Sequence, residues 1–118
     1  MNIGVIGNGF VGNALSKGFS LSHTVMINDC IEKLSSHNVE TIIDNCKFIF
    51  LCLPTPSDSK SNNVDLSYIE NFFNSVKELD KSSNIFVIKS TVPPGTCQYF
   101  EDKFKVRILN NPEFLTER

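Results

Sequence analysis

Apolar residues fall along the chain in two alternating patterns. Short, nearly unbroken apolar runs occupy residues 2 to 6, 24 to 28, 47 to 53, 85 to 89 and 106 to 109. Such runs predict strands covered on both faces, because a half-exposed strand alternates apolar with polar positions. Between them, apolar residues recur at helical spacing. Val11, Ala14, Leu15 and Phe19 predict a helix over 10 to 20, and Val39, Ile42 and Ile43 a short one over 38 to 45. Ile69, Phe72, Phe73, Val76 and Leu79 predict a third, capped by Asp65 or Ser67 and running to about Leu79. Pro94 and Gly95 open a fourth over about 95 to 104. Pro54 and Pro56 stop the third strand, and the polar residues 57 to 64 read as a surface loop. Strand, helix and strand in repetition predict an α/β domain. Its core is a Rossmann-like doubly wound parallel sheet of about five strands with right-handed crossovers.

The first strand runs into Gly7-Asn8-Gly9-Phe10-Val11-Gly12, and the first helix follows at once. A G-x-G-x-x-G turn in that context predicts a dinucleotide site. Gly7 permits a tight turn. Gly9 has no side chain, so a pyrophosphate can reach the backbone. Gly12 lets helix and strand approach closely. The helix start then presents free amides and a partial positive charge to the phosphates. Asp29 ends the second strand, where its carboxylate can accept hydrogen bonds from a ribose and repel a 2′-phosphate. That favours NAD over NADP. The plainer reading of Asp29 is a cap on the following turn. His23, just before a strand, reads as structural, and His37 as solvated.

At 118 residues the chain has the size of one domain, residues 1 to 118, and can bury a core. The net charge of -2 argues against nucleic acid as a partner, since a phosphate backbone calls for a basic surface. No apolar run has membrane-spanning length, so no membrane association is expected. A strand from residue 2 leaves no room for a leader, which points to the cytoplasm. Cys30, Cys46, Cys52 and Cys97 form no C-x-x-C pair, so no metal site is expected. Cys52, inside an apolar run, reads as a small core residue.

Three more segments end at the carboxyl edge of the sheet, where doubly wound folds bind ligands. Leu53-Pro54-Thr55-Pro56 gives a rigid loop after the third strand. Lys89-Ser90-Thr91-Val92-Pro93-Pro94-Gly95-Thr96 brings two hydroxyls after the fourth. Asn110-Asn111-Pro112-Glu113-Phe114-Leu115-Thr116-Glu117-Arg118 follows the fifth. Glu113 and Glu117 would share a face if their segment were helical, or simply begin a solvated helix.

Together with the glycine turn, the strand ending in Asp29, and Asp65-Leu66-Ser67-Tyr68-Ile69, these segments resemble the UDP-glucose/GDP-mannose dehydrogenase family. They occur in its order and cover nearly the whole chain. The resemblance implies NAD as cofactor and a four-electron oxidation of a sugar C6 alcohol to the carboxylate, with a UDP-sugar such as UDP-glucose as substrate. It assigns NAD contacts to Gly7, Gly9, Phe10, Val11, Gly12, Asp29, Leu53, Pro54, Thr55, Ser90, Thr91, Val92 and Glu117. It makes Thr91 a holder of water and Glu113 a general base. Glu113, Phe114, Leu115, Thr116 and Glu117 would touch the nucleotide sugar.

The chain also departs from the family. None of its cysteines matches the family's nucleophile, which is expected beyond Arg118 with the connecting helix and the substrate domain. Any homo-oligomer would form through that missing region. Few residues separate Asp29 from Lys47 where the family has a longer insert with an extra strand. The sheet order should therefore be 2-1-3-4-5 without an outer strand. Leu34 stands where the family has a basic residue, and Thr116 where Arg or Ala is usual. Two other readings stay open: a stand-alone NAD-binding module, and a β-hydroxyacid-type dehydrogenase, which shares the opening motif.

Overall fold

Each apolar run forms a strand, and each amphipathic stretch forms a helix that carries the chain back to the start of the sheet. The computed structural model describes residues 1–7, 9–31, 34–57 and 63–111. In chain order they form β1 (Asn2–Ile6), α1 (Phe10–Phe19), β2 (Thr24–Asn28), α2 (Val39–Asn45), β3 (Phe48–Leu51), α3 (Ser67–Ser75), β4 (Ile85–Ile88), α4 (Thr96–Phe104) and β5 (Arg107–Asn110). All strand pairs are parallel, in the order β2-β1-β3-β4-β5. That is the expected order.

The register sets the strand ends level. Ile6 pairs with Asn28 and with Leu51, Leu51 with Ile88, and Ile88 with Asn110. The residues just past the strands continue the ladder. The amide of Gly7 donates to Asn28 O (2.7 Å), that of Cys52 to Ile6 O (2.8 Å), and that of Lys89 to Leu51 O (3.0 Å). Gly7, Asp29, Cys52 and Lys89 therefore form one row along the carboxyl edge.

The two faces are covered unequally. Ile6, Met26, Ile49, Leu51, Phe86, Ile88 and Ile108 join one core with Ile42, Ile69, Phe73 and Phe100 from α2, α3 and α4. The Phe73 ring lies 5.2 Å from Phe86 and 5.3 Å from Phe104. Each buried phenylalanine contributes roughly 2–3 kcal/mol of apolar transfer. Strand neighbours alternate faces, so Phe50 points the other way, where the Phe19 ring of α1 meets it at 5.1 Å.

Several elements differ from expectation. On α1, Ala14 is exposed and Val11, Leu15 and Phe19 are half-buried, while Gly12 and Ser16 are buried. The helix sits so close to β1 that only small residues fit at the contact. β3 ends at Leu51, not Leu53, so Cys52 is half-buried at the edge. The buried thiol is Cys46, pushed up to about 11 by desolvation. α3 stops at Ser75 instead of Leu79.

The short link after β2 folds back on its outer edge. Asn28 bonds toward β1, so Ile27 and Asp29 turn their backbone groups outward. The Ile27 amide donates to Ser36 Oγ (2.8 Å), and the Ile27 carbonyl accepts from the amides of Ser36 (2.8 Å) and His37 (3.1 Å). The Asp29 amide donates to Ser35 Oγ (2.8 Å).

Candidate functional site

The row of strand ends floors a cleft of about 520 Å³, within the range of small-molecule sites. Of the residues singled out from the sequence, Gly7, Gly9, Val11, Asp29, Leu53, Pro54 and Ser90 line it. Gly7 has φ +95°, a left-handed conformation that glycine adopts without strain. A Cβ on Gly12 would sit 1.9 Å from the Gly7 carbonyl oxygen, so turn and helix can meet only through glycine. At Gly9 a Cβ would find nothing within 4 Å. The approach to the backbone there is open.

α1 begins at Phe10 with no side-chain cap and no acidic residue in its first turn. The first amides of a helix have no partner within it. Here they face the glycine turn with the positive end of the helix dipole behind them. The local geometry suits a pyrophosphate.

Asp29 combines its two sequence readings. It lines the cleft, and its Oδ1 also accepts from the Ile31 amide (2.9 Å) and the Cys30 thiol (3.6 Å). The turn holds the carboxylate at the β2 end of the row. At the far end, the Ser90 hydroxyl donates to the Leu53 carbonyl, and Thr55 Oγ1 donates to the Thr91 carbonyl (3.1 Å). These bonds tie the loops after β3 and β4 together.

Thr55, Thr91 and Val92 do not line this cleft. Thr91 is exposed, and Val92 borders a second hollow beside the start of α4. Glu113, Phe114, Leu115, Thr116 and Glu117 lie outside the described residues, as does the side chain of Phe10. His23 rests its ring against Phe19, 6.1 Å away, and His37 is exposed. Among the described residues no group of His, Cys, Asp and Glu is arranged to hold a metal ion, and no helix is long and apolar enough to cross a membrane.

The cleft also contains residues that sequence reasoning passed over: Asn28, Cys30, Cys52, Tyr68 and Lys89. Cys52 and Lys89 directly follow strands, and that position was the available signal. Tyr68 enters from the first turn of α3.

A level row of strand ends, a glycine turn with positive φ and an uncapped helix start define a dinucleotide-binding domain of the Rossmann class. The chain belongs to the UDP-glucose/GDP-mannose dehydrogenase family, whose NAD binding domain matches residues 20–118. Its cofactor is therefore NAD, and the β-hydroxyacid reading falls away. UDP-glucose 6-dehydrogenase of Rickettsia felis is 30% identical over 154 aligned positions, covering 99% of this chain and 34% of that protein. The alignment is longer than the chain, so the relative carries residues with no counterpart here. An uncharacterized protein of Methanocaldococcus jannaschii is 31% identical, with 99% of this chain and 17% of that protein covered. The chain thus spans about a third or less of the length of these relatives. GDP-mannose dehydrogenase from Pseudomonas aeruginosa shares the fold, with a TM-score of 0.77 at 23% identity over 99% of this chain and 37% of that one. UDP-D-ManNAc dehydrogenase from Pyrococcus horikoshii gives a TM-score of 0.73 at 21% identity over 98% and 37%.

Proposed function

We propose that these residues are the NAD-binding part of a nucleotide-sugar 6-dehydrogenase that oxidises the C6 alcohol of a UDP-sugar, UDP-glucose in the first instance, to the carboxylate. The observation that carries the reading is the juxtaposition of Gly7, Gly9 and Asp29 on one cleft beneath the α1 amides. The amides and the α1 dipole hold the two phosphates. Asp29 accepts from the ribose hydroxyls, and its charge excludes a 2′-phosphate. Leu53, Pro54 and Ser90 wall the far half, and Thr55, Thr91 and Val92 support it from the adjoining loops. NAD, when bound, supplies a hydride acceptor. Thr91 holds a water and Glu113 accepts a proton from the reacting centre, by resemblance to the family. Glu113 to Glu117 meet the sugar nucleotide, and Glu117 also reaches the cofactor. The nucleophilic thiol of the family has no equivalent among Cys30, Cys46, Cys52 and Cys97, so these residues bind NAD without completing the oxidation. The protein works in the cytoplasm.

The test is calorimetry of the 118-residue chain with NAD and NADP. NAD should bind below millimolar concentration and NADP at least tenfold more weakly. Asp29→Asn keeps an acceptor for the Ile31 amide but loses the charge, so it should narrow that preference. No binding of either dinucleotide at millimolar levels would remove the reading. Assaying the product of the complete gene with UDP-glucose, GDP-mannose and UDP-N-acetylmannosamine decides the sugar. NADH formation with UDP-glucose is expected to be fastest.

A further inference from the structure

We infer that the ring of Tyr68 is the surface on which the adenine of the dinucleotide stacks. The inference rests on the NAD-binding reading and adds to it a residue of α3 that the reading leaves unused. Tyr68 is 49% exposed, and it is the one aromatic side chain among the described residues that line the cleft. A single exposed tyrosine is ordinary on a protein surface. Its position is what sets Tyr68 apart. Tyr99 is exposed to a similar degree but lies on α4, where the Lys103 ammonium stands 5.6 Å from its ring.

The fold fixes where that ring stands. Ile69, the residue after Tyr68, is fully buried in the core that α3 shares with Ile6 and Leu51. The Asp65 carboxylate accepts from the Ser67 amide at 2.9 Å and so holds the start of the helix. Tyr68 therefore sits in the first turn of α3 at the carboxyl edge, and it lines the cleft with Ile6 from the end of β1 and Leu53 from beyond β3. Leu53 packs against the same core. α1 lies on the opposite face of the sheet, where Phe19 meets Phe50. A dinucleotide whose phosphates rest on the α1 start thus faces an apolar wall of Ile6, Leu53 and Tyr68 on the other side of the row.

Adenine is the part of the ligand that matches this wall. It is a wide, flat, uncharged ring, and it is joined to the ribose for which Asp29 is the acceptor at the β2 end. The nicotinamide carboxamide needs hydrogen-bonding groups, and the hydroxyls of Ser90 and Thr91 come after β4, toward the other end of the row. A purine laid on a tyrosine ring gains from stacking and from the apolar surface both rings remove from water. The phenol hydroxyl plays no part in that contact.

The experiment sets NAD beside ADP-ribose, which keeps the adenine, both riboses and both phosphates but has no nicotinamide. Affinities are measured by calorimetry on the 118-residue protein and on Tyr68→Leu and Tyr68→Phe. Tyr68→Leu should weaken both ligands by the same factor, roughly tenfold, the size of one base–aromatic stack. Tyr68→Phe keeps the ring and should bind both within twofold of the original. The chain has no tryptophan and two tyrosines, Tyr68 and Tyr99, so tyrosine emission reports on the ring directly. Saturating ADP-ribose should quench a large share of that emission in the unmodified protein and almost none in Tyr68→Phe. An ADP-ribose affinity within twofold of the original in a folded Tyr68→Leu protein would overturn the inference. A loss confined to NAD would also overturn it, because the ring would then meet the nicotinamide. If Tyr68→Leu does not fold, unquenched tyrosine emission in the unmodified protein saturated with ADP-ribose overturns it as well. Failure of the unmodified protein to bind either ligand would instead sink the NAD-binding reading, and this inference with it.

Discussion

Gly12 has no room for a methyl group. Its missing side chain lets α1 rest on the Gly7 carbonyl, and a Cβ placed 1.9 Å from that oxygen would force helix and turn apart. Gly12→Ala should therefore cost roughly 2–4 kcal/mol. In a chain of this length the midpoint of thermal unfolding would fall by about 10 °C or more. Calorimetric or circular-dichroism melting checks this, and a shift under 3 °C would mean that the contact relaxes easily. The glycines were readable from the sequence because their spacing reports where side chains are forbidden. Cys52, Tyr68 and Lys89 were not. Which residue past a strand faces a ligand depends on how neighbouring strands are aligned, and no local pattern encodes that alignment. Thr91 shows the reverse case: the motif marked it, but the cleft wall at that point is made by Ser90.

Among the elements, strands were easiest to foresee, since a buried parallel strand is a solid apolar run. Helix faces were harder. On α1 the eye follows Val11, Ala14 and Leu15, yet the contact runs through Gly12 and Ser16, whose smallness is the point. α3 was read too long because Val76 and Leu79 continue its apolar spacing. The chain leaves the helix at Val76 (φ −114°, ψ 10°), and the Lys81 ammonium takes the carbonyls of Val76 and Leu79, each at 2.8 Å. At the other end of α3, Asp65 Oδ1 accepts from the Ser67 amide at 2.9 Å. Hydrogen bonds from the Ser67 side chain and backbone hold the Asp65 carboxyl below its usual range. A depressed carboxyl adds stability above its unfolded value and loses it as pH falls through its folded value. Asp65→Ala should thus be less stable than the parent at neutral pH. The gap should close as the pH drops below about 4. Urea unfolding at pH 7 and pH 3 measures it, and a gap independent of pH would mean that Asp65 acts through something other than its charge.

For the molecule as a whole, alternation of strands and helices was enough to read a doubly wound sheet, and the shortness of the link after Asp29, set against the longer insert of the family it resembles, gave β2 at its margin. The segment after β5 was legible only through family resemblance. Its carboxylates follow a strand whose outward face is left open, with Leu109 55% exposed. The margin at β2 has a consequence of its own. A terminal strand with bare amides and carbonyls invites a neighbouring molecule to add its own strand, and repeated addition grows fibrils. Ser35 and Ser36 occupy those groups on Ile27 and Asp29. Replacing both serines with alanine should leave the fold intact but turn concentrated solutions turbid. Light scattering that stays at the monomer value would show that the two hydroxyls are not what keeps copies of this chain apart.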